Sequence, residues 1–121
     1  MAKLGMGELE AAVMDVLWDR GGWHTAGEVH EVLSADRELA YTTVLTVLVR
    51  LDAKGRVERQ RDGRAYAYRP LQTREEYAAD RMGAALQYSH DRPAVLSRFL
   101  QRLTPADRAQ VRRLLKSHPE D

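Results

Sequence analysis

One segment of the chain, LAYTTVLTVLVRL over residues 39–51, carries side chains of a type and spacing that suit contact with nucleic acid. Its apolar residues recur at the i, i+3, i+4, i+7 spacing of one helix face, which predicts a helix despite the β-branched content. The opposite face carries Thr42, Thr43, Thr46 and Arg50. Threonine hydroxyls suit phosphate oxygens and base edges, and threonine methyl groups suit thymine methyls. We interpret this surface as a DNA-binding face, with a second buried face packed on protein as the alternative.

The charge of the chain is unevenly distributed, although the net charge of its 121 residues is only +1. Residues 1–49 hold three basic and eight acidic side chains, a net charge of −5. Residues 50–70 hold seven basic and three acidic side chains, a net charge of +4. Because a local cationic patch of this kind attracts a polyanion, we add Arg61 and Arg64 to the candidate DNA-binding residues. A solvated hairpin with extended arginines is the alternative at this point.

Catalytic and metal-binding chemistry finds little support in the sequence. The chain has no Cys, which excludes disulfides, thiolate nucleophiles, thiolate zinc sites and iron–sulfur clusters. The four histidines are scattered, and His24 and His30 lie six residues apart rather than the four that let two imidazoles share a metal on one helix. No glycine-rich phosphate loop or hydrolase motif occurs. We therefore predict that the protein is not an enzyme and has no catalytic residues, no metal and no cofactor.

The segments before and after residues 39–51 predict the helices and strands that position the threonine face. A regular apolar stripe predicts a first helix over residues 7–20, and Thr25 with Glu28 forms a capping box for a second helix over about residues 26–34. Gly55 ends the third helix, and Asp62-Gly63 predicts the turn of a hairpin between two strands that alternate in polarity. Three helices followed by a basic two-stranded wing predict a mainly α protein, with a winged helix-turn-helix domain over residues 1–71.

Residues 72–121 are predicted to form a dimerisation domain of three short helices. Thr73 and Glu76 form a second capping box, and Pro93 and Pro105 mark the starts of the other two helices. Each helix has one apolar face that so short a tail can hardly bury alone, so we expect it to interlock with a second copy. The predicted dimerisation residues are Met82, Leu86, Val95, Leu96, Phe99, Leu100, Leu103, Val111, Leu114 and Leu115. The alternative is a tail that folds back on its own winged helix.

These segments resemble the penicillinase-repressor family, the BlaI/MecI type of bacterial winged-helix transcriptional repressors. The resemblance covers essentially the whole chain and rests on LEAAVMDVLW at residues 9–18, AYTTVLTVLVRL at 40–51 and KGRV at 54–57, followed by the hairpin. It implies a homodimer that binds a partly palindromic double-stranded DNA operator and represses a β-lactamase or related resistance or stress gene. It also implies that the recognition-helix contacts fall on the threonines and the arginine of the exposed face.

The chain departs from the family's pattern at two places. Staphylococcal-type members are inactivated when a membrane sensor-protease pathway cuts an Asn-Phe bond in the dimerisation helices, and the matching position here is Arg98-Phe99. We keep Arg98 and Phe99 as candidates for proteolytic release, with a regulatory protease as a partner. Copper-responsive members have a cysteine cluster near the C-terminus, and this chain has no cysteine.

The sequence shows no signal for a membrane span or for secretion. No apolar run approaches the roughly 20 residues of a membrane span, and the first residues lack the apolar core of a signal peptide. We therefore expect a cytoplasmic protein with no membrane partner.

The alternative function is a winged-helix module for protein contacts without specific operator binding. The arginine-rich hairpin favours nucleic acid over that alternative.

Overall fold

The computed structural model describes residues 5–118, which form six helices and three short strands. The helices are α1 (Met6–Arg20), α2 (Ala26–Leu33), α3 (Tyr41–Ala53), α4 (Arg74–Gln87), α5 (Arg92–Arg102) and α6 (Pro105–Ser117). The strands are β1 (His24–Thr25), β2 (Val57–Asp62) and β3 (Ala65–Pro70). The chain divides into two compact units, the first ending at Ala78 and the second starting at Ala79. The mainly helical fold class is confirmed, while the assignment of domains to residues 1–71 and 72–121 stays a prediction.

Helix α3 lies with one face in the core of the first unit. Val44, Val47, Leu48 and Leu51 have no exposed surface, and they pack in one cluster with buried side chains of α1 and α2. Their spacing is the one that predicted a helix from the sequence. The prediction is confirmed, because burial of this stripe outweighs the modest helix-propensity cost of threonine and valine.

The ends of the first helices are fixed by local chemistry that the sequence made visible. Gly21 follows α1 with a φ of 65°, a backbone conformation that L side chains rarely adopt. At the start of α2, the backbone N–H of Glu28 donates to Thr25 Oγ1 at 3.2 Å, and the backbone N–H of Thr25 donates to Glu28 Oε1 at 3.0 Å. The predicted capping box is therefore present. It fixes where α2 begins and hence where its apolar face meets α1 and α3.

The strands form one antiparallel sheet in the order β1, β3, β2. The hairpin between β2 and β3 lies where the sequence predicted it, but its two turn residues are Gly63 and Arg64 rather than Asp62 and Gly63, because Asp62 still pairs with Ala65. Gly63 has a φ of 65°, as the first residue of a two-residue hairpin turn often requires. The sequence predicted two strands, and the structure adds β1, in which His24 pairs with Tyr68 of β3. Two residues are too few to show an alternating pattern, so β1 had no recognisable signal. Its pairing attaches the wing to the segment between α1 and α2.

The first turn of α4 belongs to the first unit. The indole N–H of Trp18 in α1 donates to the backbone carbonyl of Gln72 at 2.8 Å, and the Trp18 ring meets the Tyr77 ring edge to face at 5.5 Å. The side chain of Tyr77 is buried. Arg74 donates to Asp19 of α1 at 2.5 Å. These contacts hold the segment before α4, and its first turn, against α1.

The second unit exposes its apolar side chains. Asp91 and Thr104 cap α5 and α6 through hydrogen bonds to the backbone N–H groups of Ala94 and Asp107, at 3.1 Å each. Neither helix has a buried residue, and Phe99 of α5 is 41% exposed. Within residues 5–118, no helix is long and apolar enough to cross a membrane.

Candidate nucleic-acid interface

The face of α3 turned away from the core is the one that the sequence singled out. Thr42, Thr46 and Arg50 are exposed there, and Thr43 is half-buried at its edge. Val49 is also exposed, at 45%. Three of the four predicted α3 residues therefore lie on one exposed surface of the helix, whereas Thr43 is partly buried.

The hydroxyl of Thr46 has one fixed partner within the helix. Its Oγ1 donates to the backbone carbonyl of Thr42 at 2.8 Å. The hydroxyl proton is therefore engaged within the helix, and the oxygen lone pairs and the methyl group of this exposed side chain remain available to a partner. Toward a base pair, Thr46 is suited to accept a hydrogen bond from an exocyclic amine or to contact a thymine methyl.

The seven basic residues between Arg50 and Pro70 differ in how far their charge is already compensated. Lys54, Arg59 and Arg69 each pair with a carboxylate of the protein, and Arg56 stacks on the Tyr77 ring at 5.0 Å. Among the described residues, no carboxylate pairs with Arg50, Arg61 or Arg64. These last three were predicted DNA-binding residues, and their charge is not compensated by a carboxylate in the described part of the protein.

Arg59 is a candidate that the sequence analysis missed. Its Nε lies 3.5 Å from Asp52 Oδ2 at the end of α3. Its guanidinium carbon, Cζ, lies over the Tyr66 ring, 4.2 Å from the ring centroid. Arg61 lies over the same ring at 5.5 Å. The register of the hairpin puts Arg59 opposite Tyr68 and Arg61 opposite Tyr66, so all four side chains share one face. The alternating arginines and tyrosines of the two strands were the only available sequence signal.

Tyr68 lies at the buried end of the hairpin face that carries Arg59 and Tyr66. Its side chain is almost fully buried, at 1% exposure, and burial raises the pKa of its hydroxyl. The neighbouring Arg59 guanidinium opposes that shift. Tyr68 is therefore neutral at physiological pH and serves as a packing residue under Arg59.

His24 and His30 each contact a backbone carbonyl and do not share a site. Nε2 of His24 lies 2.7 Å from the Gly21 carbonyl oxygen, and Nε2 of His30 lies 2.7 Å from that of Leu39. The second contact holds the segment just before α3 against α2. In the part of the chain that the structure describes, no three side chains of His, Cys, Asp or Glu group as metal ligands would.

Comparisons with known proteins agree with this geometry. The family model described as penicillinase repressor matches residues 6–117. A transcriptional regulator named BlaI, from two strains of Mycobacterium tuberculosis, is 47% identical over 119 residues, which cover 95% of this chain and 86% of the relative. The solution structure of the DNA-binding domain of the repressor BlaI is 29% identical, with a TM-score of 0.52, and the match covers 64% of this chain and 94% of that domain.

Proposed function

The chain belongs to the penicillinase repressor family, and we propose that it is a DNA-binding transcriptional repressor that places α3 in the major groove of an operator. The observation that carries this proposal is the open α3 surface of Thr42, Thr46 and Arg50 beside the cationic wing. An α helix fits the major groove of B-DNA, and short hydroxyl and methyl groups let its backbone approach the bases closely.

The proposed division of labour follows from side-chain chemistry. Thr46, with Thr42 and Thr43 beside it, reads base edges from the middle of α3. Arg50, Arg61 and Arg64 bind phosphates, because their charges lack carboxylate partners among the described residues. Phosphate contacts from α3 itself and from the wing would fix the depth and register of the helix in the groove.

The repressor is proposed to work as a homodimer through the second unit. The apolar faces of α5 and α6 include Leu96, Phe99, Leu100 and Leu114, each at least 41% exposed in the single chain. A surface of this kind is costly in water and suits a second copy of the same face. Two winged helices related by a twofold axis then read a partly palindromic operator whose half-sites lie about one helical turn, or a multiple of it, apart.

The regulated gene and the mode of release are further parts of the proposal. A β-lactamase or a related resistance or stress gene fits the family to which the chain belongs. Cleavage by a regulatory protease at Arg98-Phe99, within α5, would cut the predicted dimer face in two. In the proposed dimer a second copy covers this face, so cleavage would require the subunits to separate or α5 to open locally.

The experiment that tests the DNA-binding proposal is fluorescence anisotropy with a labelled duplex of random sequence, over a range of salt concentrations. If a dimer neutralises roughly 6–10 phosphates, affinity should fall by about 10³–10⁵ between 50 and 200 mM salt. A flat salt response, or no binding at low salt, would contradict DNA binding and favour a protein-interaction module. Footprinting of the source genome with the purified protein would then locate the operator and the regulated gene.

A further inference from the structure

The wing carries a cluster in which two arginines share one aromatic ring. The Arg59 and Arg61 guanidinium carbons lie 4.2 and 5.5 Å from the centroid of Tyr66, whose side chain is about one third exposed. A cation over the face of a tyrosine is held by the ring's quadrupole, an attraction that survives partial exposure to water. The ring therefore limits the conformations that both long side chains can adopt.

The same cluster is tied to the end of α3. Asp52, in the last turn of that helix, lies 3.5 Å from the Arg59 guanidinium. The face of the hairpin that carries Arg59, Arg61 and Tyr66 is therefore the one next to α3. Arg69, on the opposite face, is instead engaged by Glu58 and lies over the Trp23 ring at 4.5 Å.

We propose that Tyr66 is a positioning residue that holds Arg59 and Arg61 as a preformed pair of phosphate contacts on the α3 side of the wing, an inference that rests on the proposed DNA-binding function. The Nε of Arg59 already faces Asp52, so the remaining N–H groups of Arg59 and those of Arg61 are the ones that can donate to phosphate oxygens. Alternate residues of a strand are separated by a distance comparable to that between neighbouring phosphates of one DNA strand. The pair therefore matches consecutive phosphates.

Preorganisation is what makes Tyr66 matter for binding. A free arginine loses rotamer freedom when it binds a phosphate, and that loss weakens the contact. The stacked arginines have given up part of that freedom before DNA arrives. Loss of the ring should therefore weaken binding to duplexes of any sequence, because phosphate contacts carry no sequence information.

The test is a double-mutant cycle on the full-length protein, with a labelled duplex of random sequence as the probe. The variants are Tyr66→Ala, Arg59→Gln with Arg61→Gln, and the combination of all three. Tyr66→Ala should weaken binding roughly tenfold in the wild-type background and have almost no effect in the glutamine background. The glutamine variant should also reduce the salt slope by about 0.9 for each phosphate that the protein no longer neutralises.

Three further variants separate positioning from folding. Tyr66→Phe keeps the ring and should bind within about twofold of the wild type, whereas Tyr66→Leu keeps apolar bulk without the ring and should bind like Tyr66→Ala. Gln60→Ala, on the other face of β2, is the matched control and should leave binding unchanged. Thermal unfolding of each variant shows whether the protein is folded.

The outcomes distinguish this inference from the proposed function. If the wild type does not bind the duplex, DNA binding itself is wrong. If the wild type binds with a steep salt dependence and Tyr66→Leu binds equally well, the repressor proposal stands and the positioning role is wrong. An equal loss of affinity from Tyr66→Ala in both backgrounds would likewise overturn the positioning role, since the tyrosine would then act independently of the arginines.

Discussion

The ammonium group of Lys54 donates to the buried carboxylate of Glu10 at 2.7 Å, which links the N-terminal half of α1 to the C-cap residue of α3. Glu10 is only 7% exposed, whereas the Lys54 side chain is about half exposed. The pair is thus open to water on one side. Its position indicates a role in fixing the end of the proposed recognition helix against the core.

We predict that Lys54→Met lowers the free energy of unfolding by about 1–3 kcal/mol, because it leaves the Glu10 carboxylate buried without its cation. Urea unfolding followed by tryptophan fluorescence would measure the change. Lys116→Met, on exposed α6, is the matched control and should have little effect on the unfolding of the first unit. Equal urea midpoints for the two variants would show that the ion pair contributes no stability.

The capping box of α2 should give the fold a specific dependence on pH. Hydrogen bonds from Thr25 to the Glu28 carboxylate, the one from its backbone N–H first, hold the pKa of that carboxyl below its ordinary value of 4.5. A depressed pKa in the folded state means that ionised Glu28 adds stability above pH 4.5, and that this stability is lost as the pH falls from there through the folded-state pKa.

The variant Glu28→Gln should therefore flatten the loss of stability on acidification, while its amide oxygen keeps part of the capping box. Thermal unfolding between about pH 6 and pH 3 would measure the slope. Glu31→Gln, an exposed position of α2 outside the box, is the control. Identical pH profiles for Glu28→Gln and the wild type would refute the link between the cap and acid stability.

Thr46 and the wing arginines should differ in their effect on sequence preference. Thr46→Val removes the oxygen but keeps a methyl group, and Thr46→Ser does the reverse, so the two variants reveal which feature meets a base. Either loss should reduce discrimination against a mismatched base pair by about 1–3 kcal/mol where the contact is direct. Arg50→Ala and Arg64→Ala should weaken binding to operator and random duplexes alike.

Anisotropy on the footprinted operator and on single-base-pair variants of it would measure both effects. If Arg64→Ala changed the preference at one base pair only, the wing would be reading sequence, and its assignment to phosphate would be wrong.

The sequence predicts most of the fold because its signals are local. The spacing of Val44, Val47, Leu48 and Leu51 marks α3, and the capping boxes at Thr25 and Thr73 mark where α2 and α4 begin. Strand β1 escapes prediction because it depends only on pairing with a strand more than 40 residues away. Information of that kind resides in the tertiary structure rather than in the neighbouring residues.

The candidate site could be predicted less completely than the fold. A helical wheel places Thr43 beside Thr46, but its partial burial depends on how α3 is rotated against α1 and α2. Composition treats all seven basic residues alike, and only the structure shows that Arg59 lies against both Asp52 and Tyr66. The selection of cations available to DNA is therefore a property of packing.

The proposed dimer depends on the apolar face of α5. Phe99 is the chain's only phenylalanine and is 41% exposed in the single chain. If a second copy buries it, truncation would cost about 3–5 kcal/mol, and a buried aspartate would cost at least as much. Phe99→Asp should therefore yield monomers with a folded winged helix and greatly weakened operator binding, because the second half-site is no longer held at high effective concentration.

Sedimentation equilibrium and anisotropy on the same samples would measure assembly and binding together. Ser97→Asp adds the same charge to α5 about 200° around the helix from Phe99, so it is the matched control and should remain dimeric. Protease cleavage between Arg98 and Phe99 should reproduce the effect of Phe99→Asp, since it divides the same face. If Phe99→Asp still sediments as a dimer and binds the operator normally, α5 is not the dimerisation element, and cleavage at this bond could not release the repressor by separating its subunits.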